Sequence, residues 1–267
     1  MRIGFYGAGR VGTVLGRYFA AKGMNVSGYY NRTPQKAAYA ANATRSVQFL
    51  TVNELLQNSD IIFITVSDDS IHSVVNALGN LPDKIICHTS GAKESVFGID
   101  TYASASLHPP LAFTSADMDI AVLDDISFVL EGSGKGFNKF REFLSDHSIK
   151  FLQINSADKP AYHAAACMVS NYMATLLHCG QSILQEIGLD ESVFDALIVN
   201  NLSNILKTSP SQALTGPIMR GDVSTVKLHL EHLPKKALPL YKALGRETAE
   251  LARLSPEKKE ELMNLLK

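Results

Sequence analysis

Gly7-Ala8-Gly9-Arg10-Val11-Gly12 stands directly after the apolar run at 2–6 and directly before a helical stretch. In such a turn the first glycine reaches backbone angles closed to other residues. The second lets a pyrophosphate approach the main chain, and the third lets helix and strand pack closely. The helix that follows presents unpaired N–H groups to the phosphates. This six-residue pattern, in this setting, predicts the first βα unit of a dinucleotide-binding sheet, with Gly7, Ala8, Gly9, Arg10, Val11 and Gly12 facing the cofactor.

The first half of the chain repeats that unit. Strand candidates at 25–30, 46–49, 60–66, 84–89, 103–108, 126–130 and 150–154 alternate with helical segments near 10–22, 34–41, 52–58, 69–78 and 135–147. Alternation of this kind calls for a mainly parallel sheet covered on both faces. After about residue 155 the strand signals stop and helical periodicity runs nearly to the end, with Gly188 placed to stop a long first helix and Asp190 to cap the next. The expected architecture is α/β: a Rossmann-type doubly wound sheet over 1–155, followed by an all-α domain over 156–267.

The end of the second strand selects the dinucleotide. An NAD site usually places Asp or Glu there to accept from the ribose 2′-hydroxyl. This chain reads Asn31-Arg32-Thr33, with no carboxylate before Glu54. Arg32 suits a 2′-phosphate through charge-assisted hydrogen bonds, with Asn31 and Thr33 as lesser donors, so the cofactor is expected to be NADP(H). Ser67 and Asp68 follow the fourth strand, on the side where such sheets bind ligands, and are expected to flank the cofactor. Ser90 and His108 follow later strands and are candidates for substrate binding, whereas His88 is expected to pack at a strand end.

The alanine-rich run at 158–173 carries Lys159, Tyr162, His163, Ser170 and Asn171. Polar groups in a buried helix need partners, either neighbouring helices or a ligand. At about 100° per residue, Lys159, His163 and Ser170 fall on one helical face, with Cys167 and Asn171 beside it. That face is expected to meet the reacting end of the cofactor, with Lys159, His163 and Asn171 in catalysis and Ser170 orienting the substrate. Arg220, between Gly216-Pro217 and Gly221-Asp222, suits a substrate carboxylate, and Asp222 suits a helix cap or a partner for Arg220. His229 and His232 lack a third local ligand, so no metal is expected.

Composition narrows the class further. Hydrophobic residues make up 46% of the 267 and charged residues 19%, and the formal charge of −1 gives no field that would draw nucleic acid or an anionic membrane surface. Cys87, Cys167 and Cys179 have no paired metal-type spacing and read as thiols of a reducing compartment. With no signal peptide and no apolar run of spanning length, a cytoplasmic protein is expected.

The stretches GAGRVG, SLHPPLAF, YHAAACMVSN and LTGPIMRGDVSTV together resemble Rossmann-type NADP oxidoreductases whose helical C-terminal domain is known only as a domain of unknown function. The likeness spans essentially the whole chain and extends to the wider group of ketopantoate reductases and 6-phosphogluconate dehydrogenase-like enzymes. It implies an NADPH-dependent reductase of a short 2-oxo acid, with 2-dehydropantoate the best guess, and a homodimer formed through the helical domain. In ketopantoate reductases a catalytic lysine is followed four residues later by asparagine. Lys159 matches the lysine, while His163 stands where the asparagine would be, so either could be the proton donor. Two other readings stand beside this one: an imine reductase of the pyrroline-5-carboxylate type, and a non-catalytic NADP-binding sensor.

Overall fold

In the computed structural model, which describes residues 1–95 and 97–267, the chain forms two compact units, Met1–Met168 and Val169–Lys267. The first contains β1 (Arg2–Tyr6), α1 (Arg10–Ala21), β2 (Asn25–Tyr30), α2 (Pro34–Thr44), β3 (Val47–Gln48), α3 (Val52–Asn58), β4 (Ile61–Ile64) and α4 (Asp68–Leu78). It continues with β5 (Leu81–His88), β6 (Thr101–His108), β7 (Phe128–Ser133), α5 (Phe137–Asp146), β8 (Phe151–Gln153) and α6 (Lys159–Val169), whose last residue opens the second unit. The described strands form one sheet in the order β3-β2-β1-β4-β5-β6-β7-β8. All neighbours run parallel except β6 and β7. The doubly wound α/β class expected from the alternation is what the structure shows.

The sheet is coated on both faces because β4 is apolar at every position and the second half of β5 is buried beside it. Ile61 and Phe63 of β4, with Ile85 and Cys87 of β5, join the core that also holds Val14 and Leu15 of α1 and Phe140 of α5. The intervening Ile62, Ile64 and Ile86 join the opposite core with Leu55 of α3 and Ile71 and Val75 of α4. Side chains alternate along a strand, so a run such as Ile61–Ile64 has no face to give to water.

The strand order reverses between β1 and β4, and parallel sheets bind ligands beyond the carboxyl ends of their strands at such a point. The turns after β1, β4, β5 and β6 therefore converge on one edge. The boundary expected after residue 155 lies at the end of the sheet. The compact unit instead runs on through α6, because the first residues of that helix are bonded into the sheet.

The second unit holds α7 (Asn171–Glu186), α8 (Asp195–Lys207), α9 (Pro210–Ala213), α10 (Val223–His232), α11 (Leu238–Leu251) and α12 (Pro256–Leu265). Ile218, Val226, Ala249, Leu262 and Leu266 form its core. Gly188, at φ +77°, follows α7, and Asp222 and Ser255 cap α10 and α12 through Thr225 N and Lys258 N. Asp190 accepts from Ser192 N at the start of a short 3-10 turn before α8. One expectation fails here. Residues 159–186 are not one helix: Ser170, at φ −115° and ψ −72°, interrupts the ladder between α6 and α7. Lys159 and His163 thus share a helix with each other but not with Ser170 and Asn171. Among the described residues, no helix is long and apolar enough to cross a membrane.

Candidate active site

The glycine turn is shaped as its sequence requires. Gly7 sits at φ +118°, and a Cβ there would lie 2.7 Å from the Thr65 carbonyl oxygen. A Cβ on Gly12 would lie 2.5 Å from the Gly7 carbonyl oxygen, so the close seat of α1 on the turn depends on its absence. Gly9 is the N-cap of α1, and a Cβ there would meet no atom within 4 Å. The main chain is therefore open to a ligand where a pyrophosphate would approach. A cavity of about 160 Å³ lies over it, lined by Gly7, Gly9, Asn31, Arg32, Lys36 and Ser67 among others.

The cofactor candidates divide into those that build this cavity and those that face it. Ala8 is buried, and its N–H donates to Asn31 Oδ1 at 3.1 Å, while Asn31 Nδ2 donates to the Thr33 carbonyl at 3.0 Å. Asn31 thus ties the glycine turn to the end of β2 and is a brace before it is a phosphate donor. Arg10 donates to the Thr114 carbonyl at 3.3 Å, and Val11 is half-buried against the core. Arg32 is exposed at the rim, and Thr33 caps α2 without a side-chain hydrogen bond, with Pro34 as the first helical residue. Lys36, one turn into α2, faces the same cavity and was not anticipated. Two cations and a helix N-terminus around one pocket, with no carboxylate lining it, fit a 2′-phosphate.

A second cluster lies beyond β5 and β6. His108, the last residue of β6, shares a hydrogen bond of 2.6 Å between its Nδ1 and the Tyr162 hydroxyl. The His163 ring stands edge-on to it with centroids 6.1 Å apart. Gly91 makes room for both imidazoles, since a Cβ there would fall 2.8 Å from His163 Cδ2 and 3.0 Å from the His108 ring. Cys167 Sγ lies 3.9 Å from His163 Nδ1. Burial, reinforced by the charges of His163 and Lys159, lowers the His108 pKa to about 4, so it is neutral at pH 7. Burial raises the Tyr162 pKa, which keeps the phenol protonated. The cluster offers neutral proton donors in a partly dry setting. Tyr162 was the member that sequence reasoning did not select, because its partner is 54 residues away.

Lys159 is not where the helical pattern puts a proton donor. Its side chain is buried, and the ammonium donates to the Ser90 carbonyl at 3.2 Å and to Ser106 Oγ, and pairs with Glu131 at 3.6 Å. The ammonium thus makes two hydrogen bonds and one ion pair inside the sheet unit. Ser90 is likewise engaged: its hydroxyl donates to Asp68 at 2.7 Å and accepts from the N–H groups of Ala92 and Lys93. Asp68 therefore braces Ser90 at the head of α4, and Ser67 Oγ bonds Ser70 Oγ at 2.9 Å. His88 packs at its strand end, as expected, between Ser90 N and the Glu94 carbonyl.

In the second unit, Ser170 donates to Asn171 Oδ1 at 3.0 Å. Arg220 is exposed, and Asp222 accepts from Thr225 and Ser224, which makes it a cap. His229 bonds Tyr241, and no group of three metal-ligating side chains occurs among the described residues.

The family comparisons agree with the geometry. Residues 2–90 match the family described as NADP oxidoreductase, coenzyme F420-dependent, and residues 126–248 match the domain of unknown function DUF2520. The half of the chain that carries the glycine turn is thus similar to NADP oxidoreductases, and the half that carries the helices is similar to a domain of unknown function. No curated protein matches it in sequence. Among solved structures, a Bacteroides fragilis protein described as an NADP oxidoreductase is 21% identical, with 93% of this chain and 98% of that one covered and a TM-score of 0.77. The Thermotoga maritima protein TM1727 is 28% identical over 93% and 98% of the two chains, with a TM-score of 0.69. An imine reductase from a Pseudomonas species is 15% identical over 100% and 99%, with a TM-score of 0.62, a likeness of fold.

The buried histidines make stability depend on acid. His88 and His108 both titrate near 4 when folded, against 6.5 for a free imidazole, with burial the leading cause. Between those values the unfolded chain binds protons that the folded chain refuses, so stability is full above about pH 6.5 and declines as pH falls toward 4. The expected loss is on the order of several kcal/mol. A Tm series from pH 7 to pH 4 checks it, and a flat profile would show that neither histidine is held neutral.

Proposed function

We propose that the protein reduces the carbonyl of a short 2-oxo acid at the expense of NADPH, with 2-dehydropantoate the first substrate to test. The observation that carries this reading is the 2.6 Å pairing of Tyr162 with His108 at the sheet edge that also holds the glycine turn. Bound NADPH supplies the hydride. The phenol of Tyr162 gives its proton to the oxygen of the carbonyl being reduced, and the Nδ1–H of neutral His108 donates to the phenolate left behind. His163 adds a second polar edge. NADPH oxidation against 2-dehydropantoate, other 2-oxo acids and cyclic imines, in one panel, tests it. Turnover confined to oxo acids supports the reading.

A second reading, imine reduction, draws on the likeness to imine reductases. An iminium carbon already carries positive charge, so hydride addition needs no strong acid. Under that reading Tyr162 is dispensable and turnover appears with the imines.

The working unit in this proposal is a homodimer joined through the helical unit. Helix α8 buries no residue, although Leu197, Val199 and Leu206 are 59%, 68% and 78% exposed. An apolar helix with no buried side normally has a partner. Light scattering is expected to give the mass of two chains for the wild type and of one for Leu206→Glu. A monodisperse wild-type monomer contradicts the assignment.

A further inference from the structure

We propose that the buried Glu131–Lys159 pair is a positioning device that acts through Ser90 and Ser106 to seat the His108–Tyr162–His163 cluster. The inference rests on the reading of that cluster as the reaction site.

Glu131 lies on β7 directly across from Ser106 of β6. Its carboxylate accepts from Ser95 N at 3.1 Å, Ser95 Oγ at 2.8 Å and Ser156 Oγ at 2.7 Å, and faces the Lys159 ammonium. One side chain thus fastens the loop after β5 and the segment entering α6 to the same strand. Lys159 is the first residue of α6, and Tyr162 and His163 follow it by three and four residues, on the same face. Fixing Lys159 fixes where those two side chains fall.

The other hand of the ammonium holds the Ser90 carbonyl, which also accepts from Ser106 Oγ at 3.0 Å. The next residue is Gly91, the close seat of both imidazoles. The pair therefore grips the cluster from both sides, from the helix through Lys159 and from the loop through Ser90. Ser90 Oγ extends the same chain to Asp68 at the head of α4. A buried ion pair is a costly way to gain stability, since apolar side chains of similar size usually serve as well. Fixing one geometry for the site gives the pair a use that packing alone would not.

The test compares the full-length wild type with Lys159→Met and Glu131→Gln by NMR of the imidazole rings and by steady-state kinetics. The charged and titratable groups around His108 are Tyr162, His163 and Lys159 from α6 and Asp68 from α4. Removing the Lys159 charge is therefore expected to raise the His108 titration midpoint from about 4 and to shift the His163 ring signals. Turnover should fall by about tenfold, with the KM for NADPH changed by less than about twofold. Glu131→Gln should shift the same ring signals. Lys159→Met leaves the three donors on Glu131 in place, so it decides the matter if Glu131→Gln does not fold. Unmoved ring signals with only a lower Tm would overturn the proposal, as would unmoved rings with a collapse in turnover, which would make Lys159 the proton donor. The ring signals are read without substrate, so they decide this point even if the wild type reduces no oxo acid.

Discussion

Tyr162→Phe should lower kcat by about two to four orders of magnitude, the usual effect of removing a positioned general acid. The substitution removes one oxygen from a half-buried side chain whose recorded hydrogen bond is to His108. NADPH affinity and Tm should stay close to wild type, because the ring remains to pack against the imidazole. His108 loses its phenolic partner but stays neutral, since burial rather than that bond is the main cause of its lowered pKa. His163→Ala is expected to cost less, as its ring meets His108 edge-on and, among the described residues, no hydrogen bond to the pair is formed. A Tyr162→Phe enzyme with unchanged turnover on oxo acids would remove the proton donor from the account.

Replacing Arg32 and Lys36 together by alanine should abolish the preference for NADPH. A hydrogen bond to a charged group contributes about 1.5–3 kcal/mol, so losing two corresponds to a fall in NADPH affinity of roughly a hundredfold to ten-thousandfold. Binding of NADH, which lacks the 2′-phosphate, should change little. Both side chains are exposed, so the fold should not suffer. Equal weakening of both dinucleotides would place the 2′-phosphate elsewhere.

The parts of the molecule that were legible in the sequence are those governed by neighbours in the chain. Gly7 and Gly12 announce their turn because the positive φ of the first and the close approach of the second to the Gly7 carbonyl arise within six residues, and Gly9 leaves the main chain between them uncovered. The uniform apolarity of Ile61–Ile64 announces a strand covered on both sides. Lys36 was missed because the reading stopped at the strand end, although its place one turn into α2 could have been counted from Pro34. The break at Ser170 has no local signal, with neither proline nor glycine beside it. The partners of Lys159 were hidden for a different reason: they are Ser90, Ser106 and Glu131, and the pairing of β6 with β7 sets Ser106 beside Glu131. A charged residue on an alanine-rich helix looks the same in sequence whether it awaits a substrate or anchors a strand. The Tyr162–His108 pair, joined by the same folding of the sheet, was invisible on the same ground.

Transfer of deuterium from NADPH labelled at the hydride position is the most direct test of the central claim. Wild-type protein, labelled NADPH and 2-dehydropantoate or a related 2-oxo acid should yield a 2-hydroxy acid carrying one deuterium on the former carbonyl carbon. The Tyr162→Phe protein should give the same product far more slowly. Tight binding of NADPH with no deuterium appearing in any oxo acid or imine would contradict the account and leave a protein that holds the dinucleotide without reducing such substrates.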